Sequence, residues 1–118
     1  MPIVHIRALS PLDGAPAPLA SIAEAVAAAC DCPPEEVWCT FSPLAAVTIG
    51  ARPVEQASGI VFVELVMRSR GVEPDAAALE AAARATASSF RIPLEDAWAR
   101  LSLVEPGTVF AGGSPLER

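Results

Sequence analysis

The chain contains no lysine, and all eight of its basic residues are arginine. Lysine is the side chain that forms Schiff bases and serves as an amine base when its pKa is lowered. Its absence excludes both mechanisms and leaves the amino terminus as the amine that can be neutral near pH 7. The arginines are dispersed in a chain of net charge −6, which argues against nucleic acid as the main partner.

Histidine and cysteine are also scarce. His5 is the only histidine, and the cysteines are Cys30, Cys32 and Cys39. A structural zinc site needs four ligands at suitable spacings, so we expect no metal site. The spacings support no Ser-His-Asp or Cys-His arrangement. An odd number of cysteines fits small buried side chains in a reducing compartment better than a set of disulfides.

Long hydrophobic runs are missing as well. No apolar run approaches the roughly 20 residues that span a bilayer. The start of the chain lacks the basic and apolar regions of a signal peptide. We therefore expect no membrane contact and a cytoplasmic location. Because 53% of the 118 residues are hydrophobic, we expect one compact domain with a real core.

What the chain does have is a proline directly after Met1. If Met1 is removed, Pro2 becomes an N-terminal secondary amine. An α-amino group has an ordinary pKa of about 8, which apolar burial or nearby cations lower toward neutrality. Pro2 would then be a general base at cellular pH. The alternative is that Pro2 only leads into a strand.

The two halves of the sequence follow the same plan. Residues 3–9 and 60–67 are apolar runs typical of strands, and each precedes a turn and a helical pattern. Trp38 and Trp98, which follow those patterns, are 60 residues apart, as are Thr48 and Thr108. The apolar helix positions are Leu19, Ile22, Val26 and Ala29 in the first half and Leu79, Ala83, Thr86 and Phe90 in the second.

This plan predicts an α/β (α+β) fold made of two tandem βαβ units. We expect a four-stranded mixed sheet with both helices on one face. The units cover about residues 1–51 and 60–111, with a connector at 52–59 and a tail at 112–118; residues 9–18 form a loop. Asp75 lies early in the second helix, where its charge complements the helix dipole. Strands at 60–67 and 97–104 are so apolar that we expect other subunits to cover the remaining face.

Pro2 at the start of a strand, followed by two βαβ repeats, resembles the tautomerase superfamily over nearly the whole chain. The resemblance implies a homotrimer without a cofactor. It also implies that Pro2 moves a proton between carbon and oxygen of a small oxo- or enol-carboxylate, while arginines hold the carboxylate. Residues 62–64, Phe-Val-Glu, followed by Arg70 and Gly71, resemble a group of small bacterial proteins of this fold that also begin Met-Pro and whose function is unassigned.

On this resemblance, Pro2 and Arg70 are the catalytic candidates, and Arg68 assists Arg70 in binding the carboxylate. The alternative for the two arginines is a solvated turn. Glu64 lies within an apolar strand, so it needs a partner: an arginine, the Pro2 amine or a group of another subunit. Substrate binding by Glu64 is one expectation and an intersubunit ion pair is the other.

Two aromatic residues mark departures from the superfamily pattern. Trp38 stands where several members carry an arginine, and Phe110 lies where the hydrolytic dehalogenases have a late glutamate. Hydrolysis is therefore less expected than tautomerisation. Trp38 and Phe110 are expected to bind the apolar part of the substrate or to form an apolar wall beside the Pro2 amine. The alternative is that all the aromatic residues are core residues, and for Trp98 this is the expectation. Decarboxylation stays open, as does a non-catalytic trimer that binds a ligand or a protein.

Overall fold

The computed structural model describes residues 2–9, 17–54 and 59–115. Its main sheet has four strands in the order β2-β1-β5-β6: β1 is Ile3–Ala8, β2 is Trp38–Pro43, β5 is Val61–Met67 and β6 is Ala97–Leu103. The pairs β1–β2 and β5–β6 are parallel, and the central pair β1–β5 is antiparallel. The predicted mixed sheet of two βαβ units is confirmed.

Two helices cover one face of this sheet: α1 is Ala17–Cys30 and α2 is Val72–Phe90. Alternate strand residues point toward them, as in β5, where Val61, Val63 and Leu65 are buried and the residues between them are partly exposed. On the helices, Ile22, Val26, Ala78 and Ala82 complete a single core cluster with the strand residues. The predicted face of α1 agrees with this core, since Leu19 and Ala29 pack at its margin. On α2, Leu79 and Phe90 also pack there, but Ala82 is buried where the sequence predicted Ala83. No helix in the described ranges is long and apolar enough to cross a membrane.

Thr86 on α2 is fully buried, and its hydroxyl has no hydrogen-bond partner within the part of the chain that the structure describes. An unpaired buried hydroxyl costs free energy that an isosteric methyl group avoids. We expect Thr86→Val to raise the free energy of unfolding by about 1 kcal/mol in urea denaturation. Thr48→Val, at an exposed position, is the matched control and should change the free energy of unfolding little. A loss of stability in Thr86→Val would contradict this account.

Two short hairpins extend the βαβ units beyond their predicted limits. The first pairs β3 (Thr48–Ile49) with β4 (Arg52–Pro53), and the second pairs β7 (Phe110–Ala111) with β8 (Ser114–Pro115). The predicted connector therefore begins with a strand, and the predicted tail contains one. Residues 10–16 of the predicted loop, 55–58 of the connector and 116–118 of the tail lie outside the described residues, and α1 begins at Ala17, inside that loop.

The repeat of Thr48 and Thr108 does not hold in the structure. Thr48 begins β3, whereas Thr108 lies in a turn, where its hydroxyl donates to the carbonyl of Glu105 at 2.6 Å. The strand that corresponds to β3 is β7, which begins at Phe110, two residues later than the sequence repeat predicts. The second half therefore has a longer connection between its last sheet strand and its hairpin.

The register reveals a local two-fold axis through the centre of the sheet. In the first half Ile3 of β1 pairs with Trp38 of β2, and in the second half Phe62 of β5 pairs with Trp98 of β6. Each residue of β1 is therefore equivalent to the residue of β5 that lies 59 positions later in the sequence. Under this rule the cross-strand pair of His5 and Glu64 maps onto itself. The axis passes through that pair, and the two ends of the sheet are related by it.

Candidate functional site

Pro2, Trp38, Arg68 and Arg70 lie at one end of the sheet, which we call the Pro2 end. The backbone N–H of Trp38 donates to the carbonyl of Pro2 at 3.1 Å. Ile3 pairs with Val66, so the next position in this antiparallel register places Pro2 beside the last residue of β5, and Arg68 follows directly. Pro2 itself is less than 2% exposed. The sheet thus brings the predicted base and the predicted arginine segment together.

Asp75 of α2 forms hydrogen bonds with the segment that carries Arg68 and Arg70. The Ser69 hydroxyl donates to one carboxylate oxygen of Asp75 at 2.6 Å, and the Arg70 N–H donates to the other at 2.8 Å. These two bonds, with burial acting against them, hold the pKa of Asp75 below its ordinary value. Gly71 begins the helix at a φ of 112°, a conformation that other residues adopt only with strain. The conformation of the loop between β5 and α2 is therefore restricted by the Asp75 hydrogen bonds and by the backbone geometry of Gly71.

The lowered pKa of Asp75 makes this loop sensitive to acid. A carboxylate whose folded pKa is lower than its unfolded pKa stabilises the fold above its unfolded pKa, near 4, and loses that effect as the pH falls through the folded pKa. We expect Asp75→Asn to be less stable than the wild type at pH 7, with the gap closing below about pH 4. Urea denaturation of both proteins across pH 3–7 measures this difference in the free energy of unfolding.

Glu73→Gln provides the control for Asp75→Asn, because Glu73 is an exposed acid in the same first turn of α2. It tests whether the helix dipole alone explains the effect. Similar losses in both variants, or a gap in Asp75→Asn that is independent of pH, would contradict the assigned role of the hydrogen bonds.

The cysteines are free and lie in or beside the core. Burial raises the pKa of Cys39 to about 11. Burial also raises the pKa of Cys30, at the end of α1, and the charge of Arg70 opposes that shift. Among the described residues no group of three or more His, Cys, Asp or Glu side chains could hold a metal ion.

Glu64 lies at the centre of the sheet, away from the Pro2 end. It is opposite His5 on one side and Arg100 on the other. Its Oε2 accepts from the Ser102 hydroxyl at 3.1 Å and lies 3.7 Å from Nε of Arg100. It is three residues before the end of β5, or roughly 10 Å along the strand. The expected arginine partner is thus Arg100 of the same chain, and the geometry gives no support to substrate binding by Glu64 beside Pro2.

The two exposed aromatic candidates occupy different places. Trp38 begins β2 at the Pro2 end and is 61% exposed, whereas Phe110 belongs to the second hairpin and is 71% exposed. Neither is a core residue, so that alternative is wrong for both, and it is also wrong for Trp98, which is 57% exposed. The role of Phe110 beside Pro2 stays a prediction, since the structure places it outside the main sheet.

The face of the sheet opposite the helices is more polar than the sequence predicts. Because side chains alternate along a strand, most apolar residues of β5 and β6 point toward the helices. Glu64, Arg100 and Ser102 point to the other face of the sheet, which we call the open face. Beside them, on β1, lie His5 and Arg7. The aromatic side chains of β5 and β6 lie on this same side, so the face is mixed in character, and the expectation that other subunits cover it stays a prediction.

Known structures share this architecture, although sequence comparison finds no relative. No family model matches the chain, and no curated protein is similar to it in sequence. A member of the cis-3-chloroacrylic acid dehalogenase family superposes with a TM-score of 0.81 at 16% identity, over 97% of this chain and 82% of that one. A fused 4-OT described as a symmetric trimer gives 0.78 at 20% identity, over 95% and 93%. The macrophage migration inhibitory factor of Toxoplasma gondii gives 0.70 at 18%, over 97% and 99%.

These neighbours are members of the tautomerase superfamily. The chain has the tautomerase fold. The resemblance of residues 62–64 and 70–71 to a particular bacterial group stays a prediction. Within this tautomerase fold the local two-fold axis relates Pro2 to Val61, whose nitrogen belongs to a peptide bond in the middle of the chain. The nitrogen that corresponds to that of Pro2 at the other end of the sheet is therefore an amide.

Proposed function

We propose that this chain is a cofactor-independent tautomerase of small oxo- or enol-carboxylates, and that removal of Met1 supplies the Pro2 amine as its general base. The observation that supports this most is the register, which places Pro2 beside the end of β5, where Arg68 and Arg70 follow.

In the proposed reaction, Arg70 and Arg68 hold the substrate carboxylate through charge-assisted hydrogen bonds. The neutral Pro2 nitrogen takes the proton from the carbon next to the carbonyl group, and the C–H electron pair moves to form the enolate. The arginine charges stabilise the oxygen as its negative charge develops. Transfer of the proton from the Pro2 ammonium to the enolate oxygen gives the enol, and the reverse sequence gives the keto form.

Asp75 has a positioning role in this proposal. It does not act on the substrate. Its hydrogen bonds fix Ser69 and the backbone of Arg70, so the guanidinium of Arg70 projects from a loop with defined geometry. A preorganised cation loses less free energy on binding an anion than one on a mobile loop.

We also propose that the protein is a homotrimer. The fused 4-OT structure is described as a symmetric trimer, and its fold matches nearly all of this chain. Within the described residues, the edge strands of the main sheet are β2 and β6, and each carries an exposed tryptophan. Such edges and aromatic side chains are typical of surfaces that associate. Light scattering of the purified protein gives the number of subunits.

The proposal is tested by intact-protein mass together with ketonisation of phenylpyruvate and of 2-hydroxymuconate, both of which are followed by absorbance. We expect a mass that lacks Met1 and a catalysed rate with at least one of these carboxylates. Full retention of Met1, with no activity toward either, would favour the non-catalytic binding module. Activity in a protein that keeps Met1 would overturn the role of Pro2, because an amide nitrogen cannot accept the proton.

A further inference from the structure

Trp38 and the segment that carries Arg68 and Arg70 lie on opposite sides of Pro2. The backbone N–H of Trp38 donates to the carbonyl of Pro2 from β2, whereas Arg68 follows the last residue of β5, on the other side of β1. Neighbouring strands are about 5 Å apart, so the backbones of β2 and β5 are roughly 10 Å apart across β1. A small molecule that reaches Pro2 therefore has an aromatic side chain on one side and cations on the other.

The indole of Trp38 is available for contact with a ligand. Trp38 is 61% exposed although it belongs to the main sheet. It takes part in no aromatic pair within the described residues, unlike Trp98, whose ring centroid is 6.2 Å from that of Phe62. A flat apolar surface beside the proposed catalytic amine suits the ring of an aryl substrate.

The part of the chain around Trp38 is acidic. The sequence has no basic residue between Arg7 and Arg52, so α1, β2 and the 3₁₀ helix between them contribute no cation. Glu35 and Glu36 belong to that 3₁₀ helix, just before Trp38, and both are exposed. A substrate with a carboxylate at each end would bring its second negative charge toward these two glutamates, and such like-charge contacts are unfavourable.

We propose that the substrate is a monocarboxylate with an aryl group, such as an arylpyruvate, and that Trp38 is the residue that determines this specificity. Arg68 and Arg70 bind the single carboxylate, and the ring packs against the indole on the other side of Pro2. This preference rests on the proposed tautomerase activity. It is compatible with the proposed homotrimer, because substrate has to reach Pro2 at this end of the sheet in any active assembly.

The test compares kcat/KM for ketonisation of the enol of phenylpyruvate, which has one carboxylate and a ring, with that for 2-hydroxymuconate, which has two carboxylates and no ring. We expect the wild type to favour the phenylpyruvate enol. Trp38→Ala should lower kcat/KM for that substrate about tenfold and change the value for 2-hydroxymuconate little, while Trp38→Phe should keep most of the preference.

Trp98→Ala is the matched control, because the local two-fold axis relates Trp98 to Trp38 and places it at the other end of the sheet. It should leave the ratio of the two kcat/KM values unchanged. Light scattering of each variant separates a change in assembly from a change in specificity.

A wild type that prefers 2-hydroxymuconate, or an equal loss for both substrates in Trp38→Ala, would overturn the role of Trp38 and leave the tautomerase activity standing. If neither substrate reacts, the proposed activity fails, and calorimetry with cinnamate and trans,trans-muconate tests the contact by itself. Tighter binding of cinnamate, weakened about tenfold by Trp38→Ala, would support it. Equal binding of the two compounds, or a cinnamate affinity that Trp38→Ala does not change, would overturn it.

Discussion

Inserting one alanine between Met1 and Pro2 is expected to lower kcat/KM for ketonisation by at least about 100-fold. The insertion turns the Pro2 nitrogen into an amide, which has no basic lone pair, and moves the terminal amine one residue away. General base catalysis contributes on the order of 10²–10⁴ to a rate, so its loss should be large. The fold should persist, because β1 begins only at Ile3 and its register with β2 and β5 is unchanged.

The control for this insertion is one alanine added after Arg118, which should keep full activity. Both proteins are checked by intact mass, by thermal unfolding and by light scattering, so that a change in folding or assembly is separated from a change in catalysis. Equal activity in the two extended proteins would show that the reaction does not need a free Pro2 amine. That result would favour the alternative function, a non-catalytic protein that binds a ligand or another protein.

The repeated architecture could be predicted from the sequence because its signals are local. Alternation in the strands and three- to four-residue spacing in the helices mark each βαβ unit, and the two tryptophans mark the repeat. The register adds what a sequence cannot provide, namely which strands are neighbours and where the local two-fold axis lies. The hairpins escaped prediction because their strands are two residues long, too short for any periodicity.

The polar residues of the open face could not be predicted for a different physical reason. The strand at residues 61–67 reads as almost continuously apolar, but the helices cover only alternate positions. Which set they cover decides whether Glu64 or Leu65 faces outward, and this depends on packing between elements distant in sequence. The pairing of Glu64 with Arg100 has the same origin, since β5 and β6 meet only after α2 has crossed the sheet.

The candidate site was predicted in part. The sequence singled out Pro2, Arg68 and Arg70, and the sheet places all three at one end. The role of Asp75 was not predicted beyond its effect on the helix dipole. Its contacts with Ser69 and Arg70 depend on a chain reversal at Gly71, whose dihedral angles are set by the folded loop and are not visible as a spacing.

Arg70→Ala is expected to lower kcat/KM by about 100- to 1,000-fold, the range found when one group that stabilises a developing oxyanion is removed. Part of the loss should appear in KM, because the same guanidinium binds the ground-state carboxylate, and part in kcat, because enolate charge grows in the transition state. Arg70→Lys should recover only some of the activity, since an ammonium group keeps the charge without the two-pronged geometry of a guanidinium.

Arg84→Ala is the matched control for Arg70→Ala, because Arg84 is an exposed arginine on α2 that pairs with Glu80, four residues earlier, at 3.1 Å. Such surface pairs contribute little, so its kcat/KM should stay within about twofold of wild type. Equal losses in the two variants would indicate a general effect of charge on the approach of an anionic substrate. Screening by salt weakens long-range attraction more than a direct contact. If Arg70→Ala loses activity and added salt does not cause the same loss in the wild type, the guanidinium of Arg70 binds the substrate carboxylate directly.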